Sequence, residues 1–304
     1  MDPRVVELAP IIESFGLGAP TITEVRARFH ATASQIPAPE GVEVEHTTVA
    51  GLAATRIRRG DRPPAGRVLH LHGGAFVIGS VEVQLGVPAR LALATGHEVV
   101  SVDYRVAPEA PLPAATDDAV AAYRTLLDEG PVDAVSGDSA GGALAVLAAV
   151  ALRDAGVPLP GALLAFSPWT DLAGSYARPQ TPSFEDAVLP RGFLAMAAEA
   201  ALGDRAADDP QVTPTWADLR GLPPTMVHVG GDEMLLGDSV ALAEDLASSG
   251  VEVALRSWPG MIHVFVAYPS LAPESDAALA EAATFLAAHP RPAPDPPGPI
   301  TSGG

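Results

Sequence analysis

The sequence predicts an α/β protein with a mostly parallel central sheet and helices on both of its faces. Short apolar or β-branched runs alternate with helical runs along most of the chain, as βαβ crossovers require. The chain has 304 residues, of which 48% are hydrophobic, enough to build one large buried core. These two observations predict a mostly parallel, doubly wound sheet.

Eight segments have the composition of strands. The first two alternate apolar and polar residues and meet near Gly51, so we expect an antiparallel hairpin. The later segments are almost continuously apolar, which is typical of parallel strands covered on both faces. In chain order the predicted strands are Val42–Val49, Ala54–Arg59, Arg67–Leu71, Glu98–Asp103, Val132–Ser136, Ala162–Phe166, Thr225–Val229 and Val251–Trp258.

Helices are predicted between these strands and at both ends of the chain. Thr23 and Asp238 are the residue types that cap helix N-termini. The apolar run that begins at Ala140 is too short to span a membrane, so we expect a buried core helix. The predicted helices are Val5–Ser14, Thr23–Ser34, Ala115–Asp128, the run from Ala140, Gly192–Leu202, Asp238–Ser248 and Glu274–Ala288.

The order of these elements predicts a core interrupted by a cap. Residues 1–40 form N-terminal cap helices, and residues 41–170 and 223–289 form the two parts of the α/β core. Residues 171–222 contain no strand pattern and several prolines, and long insertions between sheet strands are usually functional. We interpret them as a cap insertion. Residues 290–304 are rich in Pro and Gly and are expected to be a disordered tail.

The charge balance excludes several classes of partner. The 18 basic and 37 acidic residues give a net charge of −19, which disfavours nucleic acid as a partner. The absence of cysteine excludes a disulfide framework, a thiolate nucleophile and Cys-based metal sites. The first residues lack the apolar centre of a secretory leader, so we expect a cytoplasmic protein without stable membrane association.

Residues 137–141 read Gly-Asp-Ser-Ala-Gly and match the pattern G-x-S-x-G. A short predicted strand precedes them and a long apolar helix follows. This context is typical of a nucleophile elbow, in which a sharp turn exposes a serine hydroxyl above the sheet edge. The alternative is a Gly-rich turn with an N-capping serine. The flanking strand and helix favour Ser139 as a nucleophile.

Residues 72–76 read His-Gly-Gly-Ala-Phe and directly follow the strand Arg67–Leu71. Glycine-rich loops of this kind supply backbone N–H donors to a tetrahedral oxyanion. We predict an oxyanion hole made by the N–H groups of Gly73, Gly74 and Ala140. Ala75 fits this loop if its φ is negative. The alternative is an ordinary turn at the end of a strand.

His70 and His72 form an H-x-H pair that could suggest a metal site. No third ligand lies nearby in the sequence, so we disfavour a metal here.

The remaining members of a triad should follow Ser139 in the order acid, then histidine. Asp232 and His263 each come after a predicted strand, at the carboxyl edge where open α/β sheets place their sites. We predict that His263 is the general base and that Asp232 orients it.

Other residues compete for these roles. Glu233 points away if Asp232 points inward, and Asp238 is better explained as a helix cap. His228 lies within a strand and His289 lies near the tail, so structural or solvated roles are expected for both.

These motifs resemble those of the hormone-sensitive-lipase-like esterases, also called bacterial family IV, of the α/β-hydrolase fold. The similarity extends from residue 70 to residue 265. The sequence departs from the family pattern at Ala75, where the family usually has a third glycine. The matching segments are His72-Gly73-Gly74 with Phe76, Asp103-Tyr104-Arg105-Val106-Ala107-Pro108-Glu109, Gly137-Asp138-Ser139-Ala140-Gly141-Gly142, Gly231-Asp232 and Gly260-Met261-Ile262-His263.

The resemblance implies a helical cap and a carboxylesterase that hydrolyses short- to medium-chain esters of small molecules without a cofactor. It leaves open a lactone, acetyl-ester or amide substrate on the same triad. A non-catalytic protein that binds a small ligand is the remote alternative, because all three triad positions are filled. The family also suggests a homodimer through the exposed edge strand Val251–Trp258.

Overall fold

A computed structural model describes residues 2–176, 184–190 and 192–291. The centre is an eight-stranded sheet in the order β1-β2-β4-β3-β5-β6-β7-β8. Its strands are β1 Val42–Val49, β2 Leu52–Arg59, β3 Arg67–Leu71, β4 Glu98–Val102, β5 Ala134–Asp138, β6 Ala162–Phe166, β7 Thr225–Gly230 and β8 Val253–Trp258.

The sheet is antiparallel at one side and parallel elsewhere. β1 and β2 form the predicted hairpin, and β2 pairs with β4 in the antiparallel sense. From β4 through β3 to β8 every neighbouring pair is parallel. The carboxyl ends of β3 and of β5 to β8 therefore meet at one edge of the sheet, where sites of open α/β proteins lie.

Eight α-helices surround this sheet in the described part of the chain. α3 packs against α8 and α4 packs against α5, so helices cover both faces of the sheet as predicted. The helices are α1 Pro3–Ser14, α2 Ile22–Ala33, α3 Gly86–Thr95, α4 Ala114–Glu129, α5 Ala140–Asp154, α6 Phe193–Leu202, α7 Leu236–Ser248 and α8 Glu274–Ala288.

Helix α3 has no counterpart among the predicted elements. It is only ten residues long and contains Pro88 in its first turn, and its residues are buried from Val87 to Ala92. A helix buried on most sides lacks the apolar stripe by which an amphipathic helix is predicted. Gly96, in the left-handed conformation, ends it.

The N-terminal helices are tied to the core by arginines. Arg4 in α1 pairs with Glu274 and donates to the carbonyl of Ala272. Arg26 in α2 pairs with Glu109 and donates to the carbonyl of Val77. These contacts fix the two helices above the carboxyl edge of the sheet.

The segment 184–222, apart from residue 191, carries α6 and a short 3₁₀ turn at Pro214–Trp216. The predicted helix Gly192–Leu202 is thus present from Phe193 onward. Val188, Phe193 and Leu194 face the same cavity as Leu8 and Phe15 of the N-terminal helices. The predicted tail falls mainly on residues 292–304, which lie outside the described residues.

α5 is the buried core helix that the apolar run predicts, since its side chains are buried almost without interruption from Ala140 to Ala149. Within the described ranges, no helix is both long and apolar enough to cross a membrane.

Asp238 does not cap its helix as predicted, because α7 already begins at Leu236. Its buried carboxylate instead accepts the N–H groups of Thr170 and Asp171, in the loop that follows β6. Burial raises the pKa of Asp238 to about 7, and the nearby charge of Asp171 acts in the same direction. The hydrogen bonds of Asp238 thus hold α7 to this loop, but burial of the ionised carboxylate lowers the free energy of unfolding.

Replacing Asp238 with Asn should stabilise the protein more at pH 8 than at pH 5. The pKa of Asp238 is raised in the folded state, so its stabilising contribution is lost as pH rises from about 4 to about 7. Asn stays neutral and keeps an oxygen that accepts both N–H groups. We expect the gain in Tm of D238N to be at least about 2 °C larger at pH 8 than at pH 5.

The matched control is D128N, which removes one negative charge from an exposed position of α4. An equal gain of Tm for D238N at both pH values would contradict ionisation of Asp238 across this range.

Candidate active site

Ser139 occupies the sharp turn between β5 and α5. Its backbone has φ 53° and ψ −122°, a conformation that L residues rarely adopt and that costs about 1–3 kcal/mol. A Cβ at Gly137 would overlap the backbone of Gly141, and a Cβ at Gly141 would overlap the carbonyl of Leu71. The two glycines of the motif are therefore required by close backbone approach, which explains the G-x-S-x-G pattern.

Two backbone hydrogen bonds to the β6 side hold this strained turn. The Ser139 N–H donates to the carbonyl of Phe166 at 2.9 Å, and the Ser139 carbonyl accepts the Trp169 N–H at 3.0 Å. Ser139 is thus fixed between β5 and the loop after β6.

His263 lies on the loop that follows β8, where the sequence predicts it. Its Nε2 is 3.0 Å from the Ser139 Oγ, a hydrogen bond that joins residues 124 positions apart. The ring is buried, and Met261 and Ile262 before it are buried as well. The structure therefore brings the predicted nucleophile and the predicted base into direct contact.

The carboxylate beside His263 belongs to Glu233. Glu233 Oε1 lies 3.3 Å from His263 Nδ1, and the Glu233 side chain is 0% exposed. The prediction that Asp232 contacts His263 is wrong, because the Asp232 side chain is exposed to solvent.

The error has a local cause. β7 continues one residue further than predicted, to Gly230, and the Asp232 N–H is then held by the carbonyl of Met261. This turn directs the next side chain, that of Glu233, inward. The two adjacent carboxylates point in opposite directions as expected, but Glu233 points inward and Asp232 outward. The register of the turn determines which of the two points inward.

The charge of Glu233 acts on His263. Burial opposes protonation of the imidazole, but the negative charge and hydrogen bond of Glu233 outweigh it and raise the pKa of His263 above its ordinary 6.5. Glu233 therefore favours the protonated form of His263.

The predicted oxyanion loop lies beside Ser139. A Cβ at Gly73 would overlap the Asp138 carboxylate and lie 3.2 Å from the Ser139 Cβ, so only glycine allows this approach. Within the described residues, the N–H groups of Gly73, Gly74 and Ala140 have no hydrogen-bond acceptor. Three free donors next to a nucleophile are suited to hold an oxyanion.

Side chains fix the direction of this loop. The carbonyl of Gly73 is 2.7 Å from His72 Nδ1 and accepts Gln84 Nε2 at 3.3 Å. This holds the peptide that carries the Gly74 N–H. Ala75 has a φ of 52°, so the expected negative value is wrong, and Phe76 follows with 61°. The usual glycine of the family is thus replaced by a residue in a conformation that glycine adopts more easily.

The two histidines of the H-x-H pair bind protein groups. His70 Nδ1 is 2.9 Å from the Ser136 hydroxyl, and its Nε2 is 3.2 Å from Asp138. His72 contacts the Gly73 carbonyl, and burial lowers its pKa, which keeps the ring neutral. No cluster of three metal-binding side chains occurs in the ranges that the structure describes.

A cavity of about 450 Å³ opens above Ser139 and His263. Its floor carries the Gly73–Gly74 loop, and its walls are largely apolar. The wall residues come from the N-terminal region, residues 75–87, the 184–222 segment and the loop after His263. They include Leu8, Phe15, Phe29, Ile78, Val83, Val188, Phe193, Leu194, Val264 and Ala267.

Comparison with known proteins places this geometry in a family. Residues 68–267 match a family described as having the alpha/beta hydrolase fold. The chain is 34% identical to a hormone-sensitive lipase from a metagenome library, whose crystal structure superposes with a TM-score of 0.86 over 95% of this chain and 99% of that one. The chain belongs to the hormone-sensitive-lipase-like esterase family of the α/β-hydrolase fold.

Further relatives carry the same kind of name. An acetyl-hydrolase of Streptomyces hygroscopicus is 39% identical over 254 residues, with 83% of each chain covered. An esterase of Acinetobacter venetianus is 36% identical over 222 residues, covering 72% of this chain and 73% of that protein. The fold and family expected from the motifs are thereby confirmed.

Substitution of the two neighbouring carboxylates should separate their roles. E233Q removes the charge that favours the His263 cation and offers an amide N–H that stabilises the wrong tautomer. We expect kcat to fall by about 10²- to 10⁴-fold. D232N, the matched control, alters an exposed side chain and should change kcat less than about twofold. A larger loss in D232N than in E233Q would contradict the assignment of Glu233.

The pH profile of the wild type should reflect the raised pKa of His263. The base works only when neutral, so kcat/KM should fall as pH drops through that pKa, with a midpoint above 6.5. In E233Q the fall should move to lower pH, because the carboxylate that favours the cation is gone. A wild-type profile that is flat from about pH 5 to 9 would exclude His263 as the base.

Proposed function

We propose that this protein is a serine carboxylesterase that hydrolyses short- to medium-chain carboxylic esters through an acyl-enzyme intermediate. The observation that carries the proposal is the 3.0 Å contact between Ser139 Oγ and His263 Nε2 on the floor of an apolar cavity. Membership of an esterase family supports the same reaction class.

Acylation begins when the Ser139 Oγ attacks the ester carbonyl carbon and its proton passes to His263 Nε2. The carbonyl oxygen becomes an oxyanion beside the N–H groups of Gly73, Gly74 and Ala140. Glu233 stabilises the imidazolium during this step. The tetrahedral intermediate then expels the alcohol, which takes the proton from His263 and leaves an ester on Ser139.

Deacylation repeats the chemistry with water. Neutral His263 removes a proton from a water molecule, whose oxygen attacks the acyl carbon. The second oxyanion uses the same three donors. Its collapse breaks the bond to Ser139 Oγ, which regains a proton from His263, and the carboxylic acid leaves. Water and ester balance this cycle, so the proposed reaction requires no cofactor and no metal.

The cavity supports an uncharged, apolar acyl group of modest length. Its volume of about 450 Å³ and its walls of Leu, Val and Phe favour burial of methylenes, each of which contributes about 0.8 kcal/mol. The Asp138 carboxylate lines the cavity next to Ser139 and disfavours esters whose acyl group carries a negative charge.

An acetyl ester is the second candidate substrate, and the relative named acetyl-hydrolase is the observation that favours it. A lactone or amide would use the same triad. The remote alternative, a protein that binds a small ligand without turnover, is disfavoured because nucleophile, base and carboxylate are all in contact.

We further propose that the enzyme acts in the cytoplasm, without stable membrane association and without nucleic acid. Val5, Leu8 and Ile12 of α1 are buried, so this helix packs as part of the folded protein. The net charge of −19 repels nucleic acid and anionic lipid surfaces. Fractionation of the native host would test this: activity in the membrane or periplasmic fraction would contradict it.

We also propose a homodimer through the edge strand β8. Residues Ala254–Ser257 of this strand are exposed, and Leu255 is 38% exposed. An exposed edge strand offers unpaired backbone groups to a second copy. Light scattering should give twice the 31.0 kDa chain mass for the wild type and a smaller mass for L255D. A wild-type monomer at micromolar concentration would contradict the dimer.

Replacing Ser139 with Ala should abolish hydrolysis of p-nitrophenyl esters. We expect kcat/KM to fall by at least about 10³-fold, because among the described residues the hydroxyl that contacts His263 is that of Ser139. The wild type should hydrolyse esters with acyl chains of two to about six carbons faster than esters with longer acyl chains. A lactone and an anilide should be assayed in parallel. Undiminished hydrolysis by S139A would exclude the mechanism. A lactone or anilide cleaved with a much higher kcat/KM than any ester would select the alternative substrate.

A further inference from the structure

Ser167 follows the end of β6 and has no role in the steps above. Its side chain is 1% exposed, and its φ is 50°, an uncommon conformation for a serine. The Ser167 N–H donates to the carbonyl of His228 at 2.7 Å, which holds the residue in place. Non-glycine residues in such a conformation cluster at functional sites, where the surrounding structure enforces it.

The hydroxyl of Ser167 lies between the acid and the base of the triad. Ser167 Oγ is 2.8 Å from Glu233 Oε2, and the N–H of Val264, the residue after His263, donates to Ser167 Oγ at 3.0 Å. In the hydrogen bond with Val264 the N–H is the donor and the hydroxyl oxygen is the acceptor. The hydroxyl proton can therefore point at the carboxylate of Glu233. One buried hydroxyl thus donates to Glu233 and accepts from the His263 loop.

We propose that Ser167 is a positioning residue that orients Glu233 toward His263 and links the acid to the histidine loop. This inference rests on the proposed function. A glutamate has one more rotatable bond than an aspartate, so its carboxylate needs an additional constraint to face one ring nitrogen. Ser167 and the Gly230 N–H, at 3.0 Å, both hold Oε2, which leaves Oε1 for His263.

The backbone on either side of Ser167 supports the same assignment. The carbonyl of Phe166 and the N–H of Trp169 hold the two backbone groups of Ser139. A single segment, residues 166–169, therefore contacts the nucleophile directly, the acid through a hydroxyl and the base through the adjacent Val264. A shift of this segment would disturb all three distances at once.

The test compares S167A with S239A. Ser239 is a buried serine of α7 whose hydroxyl has no partner within the described part of the chain, so S239A controls for the loss of a buried oxygen. For S167A we expect kcat to fall by about 10- to 100-fold with KM changed less than about twofold. The acid limb of its kcat/KM profile should move to lower pH, because a freer Glu233 favours the His263 cation less. S239A should match the wild type in kcat and in the acid limb.

A second variant separates the hydroxyl from the backbone conformation. S167G also lacks the hydroxyl but adopts a positive φ without strain, so it should fold and lose activity as S167A does. Unchanged kcat and an unchanged acid limb in S167A would overturn the proposal. An acid limb of the S167A profile that moves to higher pH would mean that the hydroxyl only reduces the effective negative charge of Glu233. That result would also overturn the proposal. Loss of folding in both variants would assign the hydroxyl to stability instead.

The proposed function and this inference fail in distinguishable ways. If the wild type hydrolyses no ester and Ser139 does not react with a fluorophosphonate, the proposed function fails and the inference fails with it. If the wild type is active and S167A equals it, only the role of Ser167 is excluded.

Discussion

The site depends on the contact between Ser139 Oγ and His263 Nε2, because two loops 124 residues apart in the sequence must meet within 3.0 Å. The parallel order of β5, β6, β7 and β8 makes this possible, since it brings their carboxyl ends to one edge. Ser139 follows β5, Ser167 follows β6, Glu233 follows β7 and His263 follows β8. Each of these four residues thus follows a different strand, and the four strands are neighbours in the sheet.

Burial of charged and polar groups is the main cost of this arrangement. Glu233 is fully buried, and an isolated buried carboxylate would be strongly destabilising. Its two oxygens are instead satisfied by His263, the Ser167 hydroxyl and the Gly230 N–H. The same low-polarity surroundings strengthen the attraction between Glu233 and a protonated His263. The apolar cavity above the site extends this effect to the oxyanion.

The strands, most helices and the positions of Ser139 and His263 could be predicted from the sequence because each has a local signal. Ser139 lies in a motif whose glycines are required by backbone contact, and His263 follows a strand with a glycine turn. Helix α3 could not be predicted, because burial on most sides removes the periodic pattern. The positive φ of Ala75 could not be predicted from the sequence either, because alanine normally avoids that conformation.

The acid shows the limit of local reasoning most clearly. Asp232 and Glu233 are adjacent and chemically alike, and their directions depend on whether β7 ends at Val229 or at Gly230. A shift of one residue exchanges the inward and outward side chains. Ser167 could not be found from the sequence for a related reason: its importance comes from two partners, Glu233 and Val264, that are distant along the chain.

The proposed mechanism requires that Ser139 carries the acyl group during turnover. Rapid acid quench of the enzyme with p-nitrophenyl butyrate, followed by intact-mass and peptide analysis, would detect this acyl-enzyme. We expect one butyryl group per chain, on the peptide that contains Ser139, and none in S139A. Steady turnover with no acyl group on Ser139, or with the acyl group on another residue, would contradict it.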